Sequence, residues 1–361
     1  MGFDTSFHPV DLPYIHGTLI PALLTGDGLA EIEAQAAKRA KVRYLAKAWA
    51  LGALAASQGA AREAEKAGAA HAGLLSSSAA AKPERAPGLL GRLFGKPAPP
   101  REVVPPPVAV PAWTRRLDSD LHVWGRPYFI SADQPAEISA AIDTWLAASP
   151  EDAESLGRAM ALRLAPEFGP VTEPELGSGL PTDEAFGAAV NEPLSACREV
   201  LRTLQAGEMF AHPEGGDLDP ADLVGGTDFA YLLLRIASWS RPGWMSRGTW
   251  PSKALPQVAG ASVGWQPATI LIAPILELHP RIKPRFEATI TANYQVGGLL
   301  RAEDVPRLRE AIEADRERLL GDSLDENQLQ KLRESLLDAE TRGLAFVEAT
   351  EVYSGPEGVM N

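Results

Sequence analysis

Nine of the thirty-one residues between Lys82 and Ala112 are proline. A proline fixes φ and offers no backbone N–H, so neither a helix nor a central strand runs through Pro97, Pro99, Pro100 or Pro105 to Pro107. The conformation expected there is extended polyproline II, a semi-rigid spacer. This stretch divides the chain into an N-terminal strand and Ala-rich helical segment (1–80), a proline-rich linker (81–112) and a body (113–361). Inside the linker, Leu89, Leu90, Leu93 and Phe94 form an apolar motif that either folds back onto the body as a clasp, the reading favoured here, or docks on a partner or a membrane surface.

A chain of 361 residues is long enough for two domains, or for one large domain with an appendage. A single cysteine, Cys197, excludes an intrachain disulfide and favours a reducing, cytoplasmic compartment. The Ala-, Arg-, Pro- and Gly-rich composition reads as that of a GC-rich bacterium. The formal charge of −13 argues against nonspecific nucleic-acid binding, which needs a basic footprint. No cationic leader precedes an apolar stretch, and no run of 18 apolar residues suggests a transmembrane segment.

Phe3, Thr5 and Phe7 alternate with Asp4, Ser6 and His8, which is the period of a strand. A strand so close to the start must pair with something distant, so the body's sheet is a candidate partner. Good helix formers fill Gly28 to Ser57, whose first half reads as solvated and second half as packed. Helical patterns follow over Ala136–Ala148, Glu151–Leu164, Asp183–Val190, Pro193–Ala206, Asp228–Trp239, Val305–Leu320 and Asn327–Arg342. Thr269–His279, Phe286–Tyr294 and Leu344–Tyr353 read as strands, with Gly297-Gly298 as a turn. Helices and strands mix without a βαβ rhythm. The fold class expected is α+β, with a mixed sheet and several packed helices.

Three places invite chemistry. Asp118, Asp120 and His122 would share one face of an extended segment, and two carboxylates with an imidazole suit a divalent metal. Asp217, Asp219 and Asp222 lie in a glycine-containing loop with oxygen ligands but not the spacing of an EF-hand; turn and helix-cap roles account for them equally. Trp239, Trp244, Trp250 and Trp265, half of the eight tryptophans, fall in a Gly/Pro/Ser-rich stretch with Arg241, Arg247 and Lys253. Such tryptophans either anchor a long loop or present a binding surface, where Trp and Arg are enriched.

There is no Gly-x-Ser-x-Gly elbow, P-loop or dinucleotide fingerprint. The reading that results is a non-enzymatic interaction protein of adaptor or immunity-like type. It would bind a protein or ligand through Trp239, Trp244, Arg247, Trp250 and Trp265. The alternative is a metal-dependent hydrolase built on Asp118, Asp120 and His122. No cofactor is implied by any motif.

Overall fold

The computed structural model describes residues 4–57, 140, 143–164, 182–211, 215–240, 244–247, 251–255, 264–322, 324, 326–350 and 352. The Asp-x-Asp-x-His segment, the linker with its Leu89–Phe94 motif, and the boundaries drawn at 80 and 112 lie outside them.

Strand β1 (Asp4–Val10) confirms the period-two pattern. It leads into a short helix α1 (Leu12–Tyr14), a π-helical turn, and helix α2 (Ile20–Thr25). Asp11 caps α1 by accepting a hydrogen bond from the Tyr14 N–H at 3.0 Å. Gly26, at φ 90°, ends α2 in the left-handed conformation that glycine adopts without a Cβ penalty. Helix α3 (Leu29–Ser57) then packs against helices α4 (Ala153–Leu164) and α5 (Asp183–Ala206). Its first half is amphipathic and not simply solvated: Ala36, Ala40 and Val42 are buried, while Glu31, Gln35 and Lys38 are exposed. The buried positions carry mostly alanine, so the face that packs has little bulk to mark it in the sequence.

Helix α5 runs unbroken where the sequence suggested two helices. Pro193 is buried inside it, Thr182 caps its start, and Gly207 at φ 69° closes its end. Tertiary packing of Phe186, Val190, Leu194, Cys197, Val200 and Leu201 outweighs the lost hydrogen bond at the proline. Burial pushes the Cys197 thiol far up, so it stays protonated and acts as a small hydrophobe.

Strands β2 (Phe210–Ala211) and β3 (Asp217–Leu218) pair as a small hairpin, followed by helices α6 (Pro220–Gly225) and α7 (Thr227–Ser240). Then come strand β4 (Trp244–Arg247), helix α8 (Pro251–Ala254), strand β5 (Gln266–Pro267), a 3₁₀ segment and helix α9 (Ala273–Leu278). The run Thr269–His279 is therefore helical, with Pro274 in the first turn of α9, where its missing N–H costs nothing. Phe286–Tyr294 forms no strand. Strand β6 (Val296–Leu300), helices α10 (Val305–Ala314), α11 (Arg316–Asp322) and α12 (Glu326–Arg342), and strand β7 (Ala345–Thr350) are the remaining described elements.

The architecture is α+β. The five strands run in the order β4-β1-β7-β6-β5, and every pairing is antiparallel rather than mixed. The N-terminal strand thus lies in the middle of the body's sheet, with Phe7 opposite both Trp244 and Glu348. Pro9 is tolerated because pairing with β4 ends at Phe7, so one side of β1 needs no donor there. Residues 5–10, 296–300 and 345–350 are all buried, so both faces of the sheet are covered. On one face Val10, Val347, Ala349 and Leu299 join the core around α7, with Phe229, Leu233, Ile236 and Trp239. Helix α12 packs against β1, β4 and β7, and α10 packs on α12.

Candidate functional site

Gly297 and Gly298 do not turn the chain. They form an irregularity in the β6–β7 register, between Val296 and Leu299. A Cβ on Gly298 would lie 2.7 Å from the Ala288 carbonyl oxygen and from the Trp265 ring, so only glycine fits. This close approach opens the centre of the sheet to one carboxylate. Glu348 accepts from the Ser252 N–H at 2.8 Å and the Gly298 N–H at 3.1 Å, and also from the Ser252 hydroxyl and the Ile290 backbone. Ser252 Oγ is in turn 2.6 Å from Thr289 Oγ1.

Burial pushes the Glu348 carboxyl up to about 7, even though these donors pull the other way. A serine hydroxyl on a carboxylate is also how nucleophiles are activated. Here Glu348 is 0 % and Ser252 8 % exposed, which leaves a substrate no route to the carboxylate. The cluster instead ties α8, the element after β4, to the middle of the sheet.

The tryptophans separate. Trp239 is 1 % exposed in the last turn of α7 and belongs to the core, which removes it from any exposed loop. Trp265 is half-buried, 6.2 Å from Phe346 between ring centroids. Trp244 and Arg247 begin and end β4, an edge strand and not a loop. Trp250 lies outside the described residues. Sequence reasoning recognised the aromatic clustering but not the strand, because four residues between glycines and prolines give too short a pattern. Among the described residues β4 pairs only with β1, so its other edge has no strand beside it.

A cavity of about 170 Å³ opens where β1 leaves β4, lined by His8, Val10, Asp11, Tyr14, Leu234 and Ser238 with Pro9 and Ala237. It is similar in size to engineered apolar cavities of about 150 Å³ that admit benzene. Its walls are mostly carbon.

The acidic loop resolves into ordinary structure. Asp219 caps α6 through the Ala221 N–H at 2.8 Å and lies 3.5 Å from Arg281. Asp222 pairs with Arg285 at 3.3 Å, and Asp217 is exposed in β3. His212 lies outside the described residues. Among the described residues no group of three His, Cys, Asp or Glu side chains is placed to hold a metal ion. No helix among them is long and apolar enough to cross a membrane.

Comparison with family models, with curated proteins and with solved structures finds no match to this chain. The fold and its chemistry stand on the geometry above.

Proposed function

We propose that this protein is a non-enzymatic interaction protein that binds a protein partner along β4. The observation that supports this reading is the position of Trp244–Arg247 as the terminal strand, among the described residues, of a five-stranded sheet. An edge strand presents alternate N–H and C=O groups outward, and a partner's extended segment can satisfy them by strand addition. The strand is short, so main-chain bonds alone give little affinity; Trp244 and Arg247 are the residue types that add it. The Glu348–Ser252 tether supports the reading further, because a binding edge held rigid loses less entropy on association.

The test is capture from the native host by the full chain, followed by hydrogen exchange on the complex with the protein so identified. Protection of the amides at 244–247, and loss of capture in a Trp244→Ala variant with an unchanged melting temperature, are expected. If the complex leaves those amides unprotected, β4 is not the site. If Trp244→Ala unfolds the chain, Trp244 is core.

A further inference from the structure

Protein interiors are packed as closely as organic crystals, and a space large enough for a small molecule is uncommon in them. The cavity of about 170 Å³ beside β1 is such a space, and its origin can be read from α7. Leu234, Ala237 and Ser238 fall at i, i+3 and i+4, so they share one face of that helix, and all three line the cavity. The rest of α7 fills the core with Phe229, Leu233, Ile236 and Trp239. Where the helix passes the end of β1 it carries alanine and serine instead, and these leave room.

Both walls are held by regular structure. On the β1 side, His8, Pro9 and Val10 lie opposite Val347, Phe346 and Ala345 of β7. Asp11 then caps α1 through the Tyr14 N–H at 3.0 Å. The polar groups on these walls have a common sense. Ser238 is 2 % exposed, and its hydroxyl donates its one hydrogen to the Arg235 carbonyl at 2.7 Å. It therefore meets the cavity with its lone pairs. The Asp11 carboxylate, exposed at the mouth, is an acceptor as well. His8 and Tyr14 have interactions of their own within the fold, so recognition does not rest on them.

We propose that this cavity binds a small phenol, an uncharged ring of benzene size whose hydroxyl donates to Ser238. The volume matches a cavity that admits benzene, and the mostly carbon walls cover the ring. A ligand without a donor would leave the Ser238 oxygen dry and unpaired, and the negative Asp11 at the mouth repels an anion. None of Trp244 to Arg247 lines the cavity, so the site does not depend on the strand-addition reading.

The experiment is ligand-observed NMR on the full chain, titrated separately with phenol, toluene and benzoate. Toluene has the shape of phenol without the donor, and benzoate carries the wrong charge. Phenol is expected to bind, toluene about fivefold more weakly, the size of one lost neutral hydrogen bond, and benzoate weakest of the three. Ser238→Ala should bring phenol down to the level of toluene and leave toluene unchanged. Ala237→Leu should fill the space and abolish binding of both, with a melting temperature unchanged or higher. Should Ala237→Leu fail to fold, the loss of preference in Ser238→Ala decides. The proposal is overturned if phenol does not bind, or if toluene or benzoate binds as tightly. It is equally overturned if Ser238→Ala keeps the preference for phenol, or if binding survives in folded Ala237→Leu.

Discussion

Among the described residues two carboxylates, Glu348 and Asp228, are pushed up by burial, and they differ in what surrounds them. At the centre of the sheet, Glu348 receives two backbone N–H bonds from Ser252 and Gly298, a hydroxyl from Ser252, and a further bond from Ile290. At the start of α7, Asp228 is withdrawn from water and only burial acts on it. A buried polar group satisfied on every side serves the fold, because removing it strands its donors. A half-buried acid in the first turn of a helix is stabilised by the helix N-terminus instead, without a dedicated donor. The same direction of shift thus marks a hydrogen-bonded tether in one region and a helix-terminal acid in the other.

The sharpest way to break this comparison is to delete each group. Glu348→Ala leaves at least three buried donors without an acceptor, and a loss of about 3–5 kcal/mol is expected, read by urea unfolding. A loss below about 1 kcal/mol would show that the tether is not structural.

The second effect is linked to pH. The folded-state value of about 7 lies above the ordinary 4.5, so the folded chain holds this proton more tightly than the unfolded one. Its contribution is most favourable below pH 4.5, falls as pH rises from there to about 7, and is flat above. The span corresponds to on the order of 3 kcal/mol. Urea midpoints for the native chain and Glu348→Gln, compared at pH 5 and 7.5, isolate this group. The difference between the two proteins should change between those pH values, and a constant difference would remove the shift.

The smallest effect is expected at Asp228. Among the described residues no hydrogen bond to Asp228 is seen, so Asp228→Asn should move stability by no more than about 0.5 kcal/mol, the size of a lost first-turn acid. A larger destabilisation would place Asp228 among the structural groups, alongside Glu348.

Both ends of this comparison were only partly legible in the sequence. The alternation from Thr5 to His8 identified β1, and the argument that so early a strand needs a distant partner led to the body's sheet, where β1 pairs with β7. Cys197, whose single occurrence excludes an intrachain disulfide, is a free thiol buried in the core. The helices Asp228–Trp239 and Asn327–Arg342 were legible from their 3.6-residue period and match α7 and α12 within a residue. Gly297-Gly298 was misread because a glycine pair marks a turn as readily as a close approach, and only the neighbours Ala288 and Trp265 distinguish the two. Thr269–His279 was misread because a short apolar run has no period to reveal. Glu348 escaped notice altogether: a glutamate among Val347, Ala349 and Thr350 carries no sign of Ser252, which lies far away in sequence.

Local elements follow from the chain's own residues: prolines forbid regular structure, alanine-rich and amphipathic stretches wind into helices, and alternation demands a strand. Local propensity and periodicity act within a few residues, so they can be read within a few residues. The tertiary structure alone decided that Pro9 could sit in a central strand, that Trp239 is core while Trp244 is on an edge, that Glu348 is enclosed by donors, and that Tyr294 stands beside Tyr231. Burial, charge and partner geometry are sums over groups brought together from opposite ends of the chain. No window of sequence contains them.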